Sequence, residues 1–133
     1  MNRVFVDTSA VIALLVATDE FHQAANSAFA GLAARETPLL TTSYVLVETY
    51  ALLGRRLGID AVRGFREHFT PLLEVVWVNR DLHEQALDLL LQRAFRTLSL
   101  VDVTSFLVIQ DQQIEEVFAF DRHFSNEGFR FVR

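Results

Sequence analysis

At 133 residues and 15.2 kDa the chain has material for one domain, residues 1–133, and no second core. Hydrophobic residues make up 51% and mean hydropathy is +0.25, which excludes a disordered chain. Net charge is −5 and cysteine is absent, so disulfide frameworks, thiolate zinc sites and cysteine nucleophiles are excluded, and a reducing cytoplasm is the expected location. All twelve Lys/Arg-class residues are arginine. A P-loop needs a lysine on its phosphates, Schiff-base chemistry needs a lysine amine, and receiver domains set a lysine beside their acids, so none of the three fits. The longest strictly apolar run, residues 10–17, is eight residues, far short of the roughly 18 that span a membrane. Asn2-Arg3 before an apolar stretch looks like the start of a secretory signal, but Asp7 interrupts it and no signal peptide is expected.

In chain order, Val4-Phe5-Val6 reads as a buried strand and Asp7-Thr8-Ser9 as the helix start after it, with a buried helix through Ala17. Phe21, Ala24, Ala25, Ala28, Phe29, Leu32 and Ala33 follow the i, i+3, i+4, i+7 pattern of an amphipathic helix, which Thr37-Pro38 ends. Leu39-Leu40-Thr41 is a second strand, and Ser43 caps a helix from Tyr44 to Leu57. Gly58 and Asp60 separate it from a helix over residues 61–70, and Val75–Val78 is a third strand. Asp81 with Glu84, and Ser99 with Asp102, have capping-box spacing for helices reaching Arg96 and Asp111. Val117–Phe120 is a fourth strand ending at Asp121, and Phe129–Val132 a short fifth. Apolar strands alternating with helices predict an α/β fold: a mostly parallel sheet of four to five short strands with helices on both faces. Ligands of such sheets bind at the carboxyl ends of the strands.

Carboxylates stand at that edge. Asp7 and Asp121 directly follow strands, although either could be a helix cap or turn residue. Glu48 lies in Tyr44–Leu53, a segment apolar on nearly all sides, where an ionised carboxylate is costly unless paired with an arginine such as Arg55 or bound to a cation. Asp102 can complete a cap with Ser99 and serve a site as well. Two charges about 4 Å apart repel by about 4 kcal/mol at an effective dielectric near 20, so four converging acids require a cation. All-oxygen ligation selects Mg²⁺ or Mn²⁺, as one or two ions, over zinc. Hard cations on carboxylates suit phosphoryl chemistry, where they activate water and stabilise the leaving oxygen. A glycosidase or aspartic-protease pair needs only two acids. Thr8 and Ser9 could add hydroxyls to a bound water or phosphate, or simply cap the helix.

These pieces in this order resemble the PIN domain, a family of metal-dependent ribonucleases, and above all its short toxin members called VapC. The matching segments are Asp7-Thr8-Ser9-Ala10, Thr41 through Glu48, Leu98 through Asp102, and Asp121-Arg122-His123-Phe124, spread from Val4 to Phe129. The resemblance implies a parallel sheet between helices, with Asp7, Glu48, Asp102 and Asp121 grouped as the catalytic, metal-binding site. It also implies an RNA substrate, a homodimer and a small antitoxin whose tail occupies the acidic groove. Many relatives carry Thr two residues before the last acid, where this chain has Ala119, which removes a hydroxyl that could position Asp121.

Setting the four site acids aside brings the formal charge from −5 to −5 + 4 = −1, so acidity is weak evidence against an RNA substrate. Candidate phosphate contacts are Arg55, Arg56, Arg93, Arg96 and Arg122. The twelve phenylalanines fall mainly at core positions rather than on base-stacking platforms. His123 could touch substrate or act as a capping or surface residue; His22, His68 and His83 show no ligand spacing. The competing classes are weaker. A binding module built on Asp-x-Ser-x-Ser fails at Val11, an Asp-x-Asp phosphatase fails at Ser9, and an idle metal-binding or scaffold PIN-like domain would usually have lost an acid.

Overall fold

The computed structural model describes residues 2–132. Five parallel strands, β1 (Val4–Val6), β2 (Leu39–Thr42), β3 (Leu73–Val76), β4 (Glu116–Phe118) and β5 (Arg130–Phe131), form one sheet in the order β3-β2-β1-β4-β5. The helices are α1 (Thr8–Leu15), α2 (His22–Ala34), α3 (Ser43–Leu57), α4 (Ile59–Gly64), α5 (Arg80–Arg93), α6 (Leu100–Asp111) and α7 (Arg122–Asn126). The expected α/β architecture is present, and the sheet is entirely parallel.

Strand alternation divides the core. Val4 and Val6 pack with Val11 of α1 and with Ala25 and Leu32 of α2, whereas Phe5 packs with Val103, Phe106 and Ile109 of α6 and with Phe124 of α7. Both faces of β1 are therefore sealed, which explains why Val-Phe-Val reads as a continuous apolar run rather than an alternating one.

Several boundaries move for identifiable reasons. The third strand is Leu73–Val76 rather than Val75–Val78. Its one partner, β2, ends opposite Val76 at Thr42 and turns into α3, so Trp77 and Val78 have no ladder to join. Val78 donates its N–H to the Ser43 hydroxyl instead (2.9 Å), and Trp77 is left 73% exposed. Ser43 is thus not the cap of α3; Thr42 is, accepting from Val45 N–H. The cap of α5 is Asn79, which accepts from Leu82 N–H, rather than the Asp81–Glu84 pair. That helix ends at Arg93, short of Arg96, because Ala94 turns left-handed at φ 56° and returns its N–H to Leu90. Residues 59–72 wind continuously but change pitch: after α4, Thr70 N–H bonds to Phe65 C=O five residues back, a wide turn over which the Phe65 and Phe69 rings stack. The fourth and fifth strands are trimmed to Glu116–Phe118 and Arg130–Phe131, since β1 ends opposite Phe118. The first helix stops at Leu15 rather than Ala17, and the amphipathic helix is His22–Ala34, with Phe21 just ahead of it.

Candidate active site

The strand order creates the site. The chain leaves β1 toward β2 and β3 on one side, then returns to β4 on the other, so the connections after β1 and β4 diverge and open a crevice at their carboxyl ends. Asp7 follows β1, and its N–H still bonds to Phe118 C=O (3.0 Å); Asp121 follows β4. Glu48 from the second turn of α3 and Asp102 from the first turn of α6 enter from either side. All four carboxylates line one cleft of about 360 Å³, together with Thr8, Ser9 and Ser99. A roomier hollow of about 640 Å³ between β3, α5 and α6 contains Asp81 and Asp111 but none of these four acids, so volume does not mark the chemistry.

Asp7 has two jobs, one for each oxygen. Its Oδ2 caps α1, accepting from Ser9 N–H (3.0 Å) and from the Ser9 hydroxyl (2.6 Å). Its Oδ1 is buried with no hydrogen-bond partner, in a residue only 3% exposed. Burial pushes the Asp7 carboxyl up to about 7; the Ser9 bonds oppose this, and the nearby charges of Asp102 and Glu48 add to it. A buried carboxylate oxygen without a donor is expensive, and in a cleft of acids it is suited to a cation.

Glu48 departs from expectation. It is half-buried rather than enclosed, because α3 is not apolar all round: Val47 is 67% exposed and Ala51 faces solvent. No arginine pairs with it among the described residues. Its carboxyl is nonetheless held above the usual range, by burial first and then by the charges of Asp102 and Asp121.

Asp102 fulfils both of its readings. It completes the capping box of α6, accepting from Ser99 N–H (3.2 Å) while its own N–H bonds to the Ser99 hydroxyl (3.1 Å), and it lines the cleft. Burial raises its pKa and the Asp121 charge adds to the rise, against the Ser99 bonds.

Asp121 caps α7 through His123 N–H (2.9 Å), and this bond orients it without the hydroxyl that Ala119 lacks. His123 is more than a surface residue. Its Nδ1 lies 3.0 Å from Asp121 Oδ1 and 3.4 Å from Asp102 Oδ2, and its Nε2 lies 3.2 Å from the Thr97 hydroxyl. Asp102, Asp121 and His123 are close enough together to share one cation.

The two hydroxyls are engaged with the protein. Thr8 Oγ1 bonds to Val45 C=O (3.3 Å) and Thr49 Oγ1 (2.9 Å), tying α1 to α3. Ser9 Oγ accepts Phe120 N–H (2.9 Å) while donating to Asp7. Both position the site. The cleft is also lined by residues the sequence pattern did not single out, notably Phe21 and Phe120. Phe120, directly before a strand-end acid, carried a positional signal. Phe21 had none, since it continued the periodicity of the following helix.

Of the arginines, Arg93 is committed elsewhere, in a bidentate pair with Glu127 (2.5 and 2.9 Å). Arg55, Arg56, Arg96 and Arg122 are exposed and have no ion-pair partner among the described residues. Arg55 lies seven residues after Glu48 on α3, hence on the same face, two turns farther along.

A parallel sheet in this order, with acids after β1, on α3, on α6 and after β4, defines a PIN domain. The PIN-domain family model matches residues 4–129, and the chain belongs to that family. Within it the chain falls among the VapC-type toxins. It is 38% identical over 131 residues, 98% of each chain, to the 23S rRNA-specific endonuclease VapC20 of Mycobacterium tuberculosis strain CDC 1551 / Oshkosh, and equally to the protein of that name in strain ATCC 25618 / H37Rv. The crystal structure of Mycobacterium tuberculosis VapC20, described as a sarcin-ricin loop cleaving toxin, superposes with a TM-score of 0.84 at 39% identity, covering 98% of both chains.

Proposed function

We propose that this protein is a divalent-metal-dependent endoribonuclease acting as the toxin of a toxin–antitoxin pair, with an exposed loop of ribosomal RNA as its substrate. The observation that carries the reading is the convergence of Asp7, Glu48, Asp102 and Asp121 on one cleft with a buried, unpartnered Asp7 oxygen, in a chain similar over 98% of its length to an rRNA endonuclease. The donor set fits a hard cation, because every one of the four offers anionic oxygen, and Mg²⁺ or Mn²⁺ is the fitting ion. Such an ion would supply Lewis acidity toward the phosphate and the means of activating water.

The chain's own residues do the rest. Asp7 is held rigidly by Ser9, and Asp102 and Asp121 are fixed by the starts of α6 and α7, so the acids are arranged before substrate arrives. Burial pushes the Asp7 carboxyl up to about 7, so near neutral pH it is partly protonated, and a bound cation would displace that proton. Arg55 and Arg56 at the end of α3, with Arg96 and Arg122, are the groups available to meet the RNA backbone. A small antitoxin covering the acidic groove, a homodimer and a cytoplasmic location complete the proposal. No helix among the described residues is long and apolar enough to cross a membrane.

The test is cleavage of an rRNA-loop oligonucleotide by purified protein. Cleavage should stop in EDTA and return with Mn²⁺ or Mg²⁺ without zinc; undiminished cleavage in EDTA would remove the mechanism. Arg93 supplies an internal control. Arg93→Ala should cost about 1 kcal/mol of stability through loss of the Glu127 pair, and leave the salt dependence of RNA binding unchanged. A reduced salt slope would return Arg93 to the RNA-binding set.

A further inference from the structure

At one end of the cleft the Phe21 and Phe120 rings lie face to face, 4.9 Å between centroids and 12° from parallel. One side of this pair is used by the mutual stack, yet Phe21 remains 39% exposed on the wall of the acidic cleft. A large apolar ring left open there is not explained by the core.

The pair is also tied to the chemistry. Phe120 N–H bonds to Ser9 Oγ, whose own proton goes to Asp7 Oδ2 at 2.6 Å, so the platform and the buried acid share one hydrogen-bonded relay. Phe21 is fixed from its own side, its N–H bonded to Asp19 Oδ1 (2.9 Å) at the entrance to α2. Asp19 and Glu20 flank it on the cleft wall. Their negative charges repel phosphate from this end, whereas a neutral nucleobase can stack on a π-face regardless of its identity. Paired bases offer no free face, while bases splayed from a loop do.

We propose that the open face of Phe21 is the seat of one unpaired nucleobase beside the phosphodiester to be cut, with Phe120 as the backing that orients the ring. This rests on the ribonuclease reading and names a substrate feature, an unstacked base at a fixed distance from the cleavage point.

The experiment is an abasic scan. Hairpin RNAs, each lacking one loop base, are cleaved in Mn²⁺ by wild type, Phe21→Ala and Phe21→Tyr. Wild type should lose about tenfold in kcat/KM at one position only, the scale of one base–aromatic stack. Phe21→Ala should show that loss on intact RNA, mainly in KM, and no further loss on the RNA abasic at that position. Phe21→Tyr should restore wild-type behaviour, because it keeps the ring. An equal response of wild type and Phe21→Ala to every abasic RNA overturns the proposal. A second measurement stands apart from cleavage: Phe21→Trp in a Trp77→Phe background, titrated with single-stranded RNA in Ca²⁺. Quenching supports the seat, and its absence overturns it. Failure of wild type to cut any RNA in Mn²⁺ would defeat the ribonuclease reading, with the quenching result still deciding the seat. A Phe21→Ala protein that changes oligomeric state but cuts normally would make the ring an interface between copies, and also overturns the proposal.

Discussion

Asp7→Asn is expected to stop RNA cleavage and, in the metal-free protein at pH 8, to raise stability by about 4 kcal/mol. In the folded protein burial holds the Asp7 carboxyl near pKa 7 against an ordinary 3.8. Between these values the native state holds a proton that the unfolded chain has released, so stability falls as pH rises through that window. The span of the window corresponds to about 4 kcal/mol. Asparagine keeps an oxygen for Ser9 N–H and never ionises. Unfolding of wild type and Asp7→Asn should therefore coincide near pH 4 and separate progressively toward pH 8. Adding Mn²⁺ should raise the melting temperature of wild type and leave the variant unmoved. A variant less stable than wild type at pH 8 would mean that burial of the Asp7 charge does not strain the folded protein, since asparagine caps α1 equally well.

Glu48→Gln distinguishes a cation ligand from an ordinary polar residue. The glutamine preserves shape but withdraws the anionic oxygen, so cleavage should fall by a factor on the order of 10²–10³ and Mn²⁺ affinity should drop. Stability should change little, because no arginine is paired with Glu48 among the described residues and the residue is only half-buried. Breaking a buried ion pair would instead cost roughly 3–5 kcal/mol. A Glu48→Gln protein that melts early yet still cuts RNA would remove Glu48 from the site.

The sheet and its strand-end acids were legible because their signals are local. An apolar tripeptide followed by Asp-Thr-Ser marks both a buried strand and the helix start behind it. Ser99 and Asp102 spell their capping box in sequence, and the structure contains it. What was not legible depends on distant partners. The register of β3 is decided by where β2 stops, far earlier in the chain, so Trp77 and Val78 read as strand but are not. Arg93 reads as a candidate phosphate contact because the Glu127 that pairs with it lies on a distant element. The distant bonds of Thr8 and Ser9 are not readable in sequence, because the Val45 acceptor and the Phe120 donor belong to other elements. The apolar neighbours Val47 and Ala51 suggest an enclosed Glu48, yet apolar residues can face solvent.

Asp7, Asp102 and Asp121 each hold a helix start as well as a place in the cleft. The scaffold needs an acceptor oxygen at those positions; only the chemistry needs the charge. Asparagine satisfies the first demand and fails the second, and in the genetic code it is one G-to-A transition away from aspartate. On the proposed function, each of these codons is an off-switch that would disarm the protein while leaving its fold standing. A cell poisoned by such an enzyme can escape by point mutation without unfolding it, and the disarmed descendant still presents an intact surface to any partner that bound the active one.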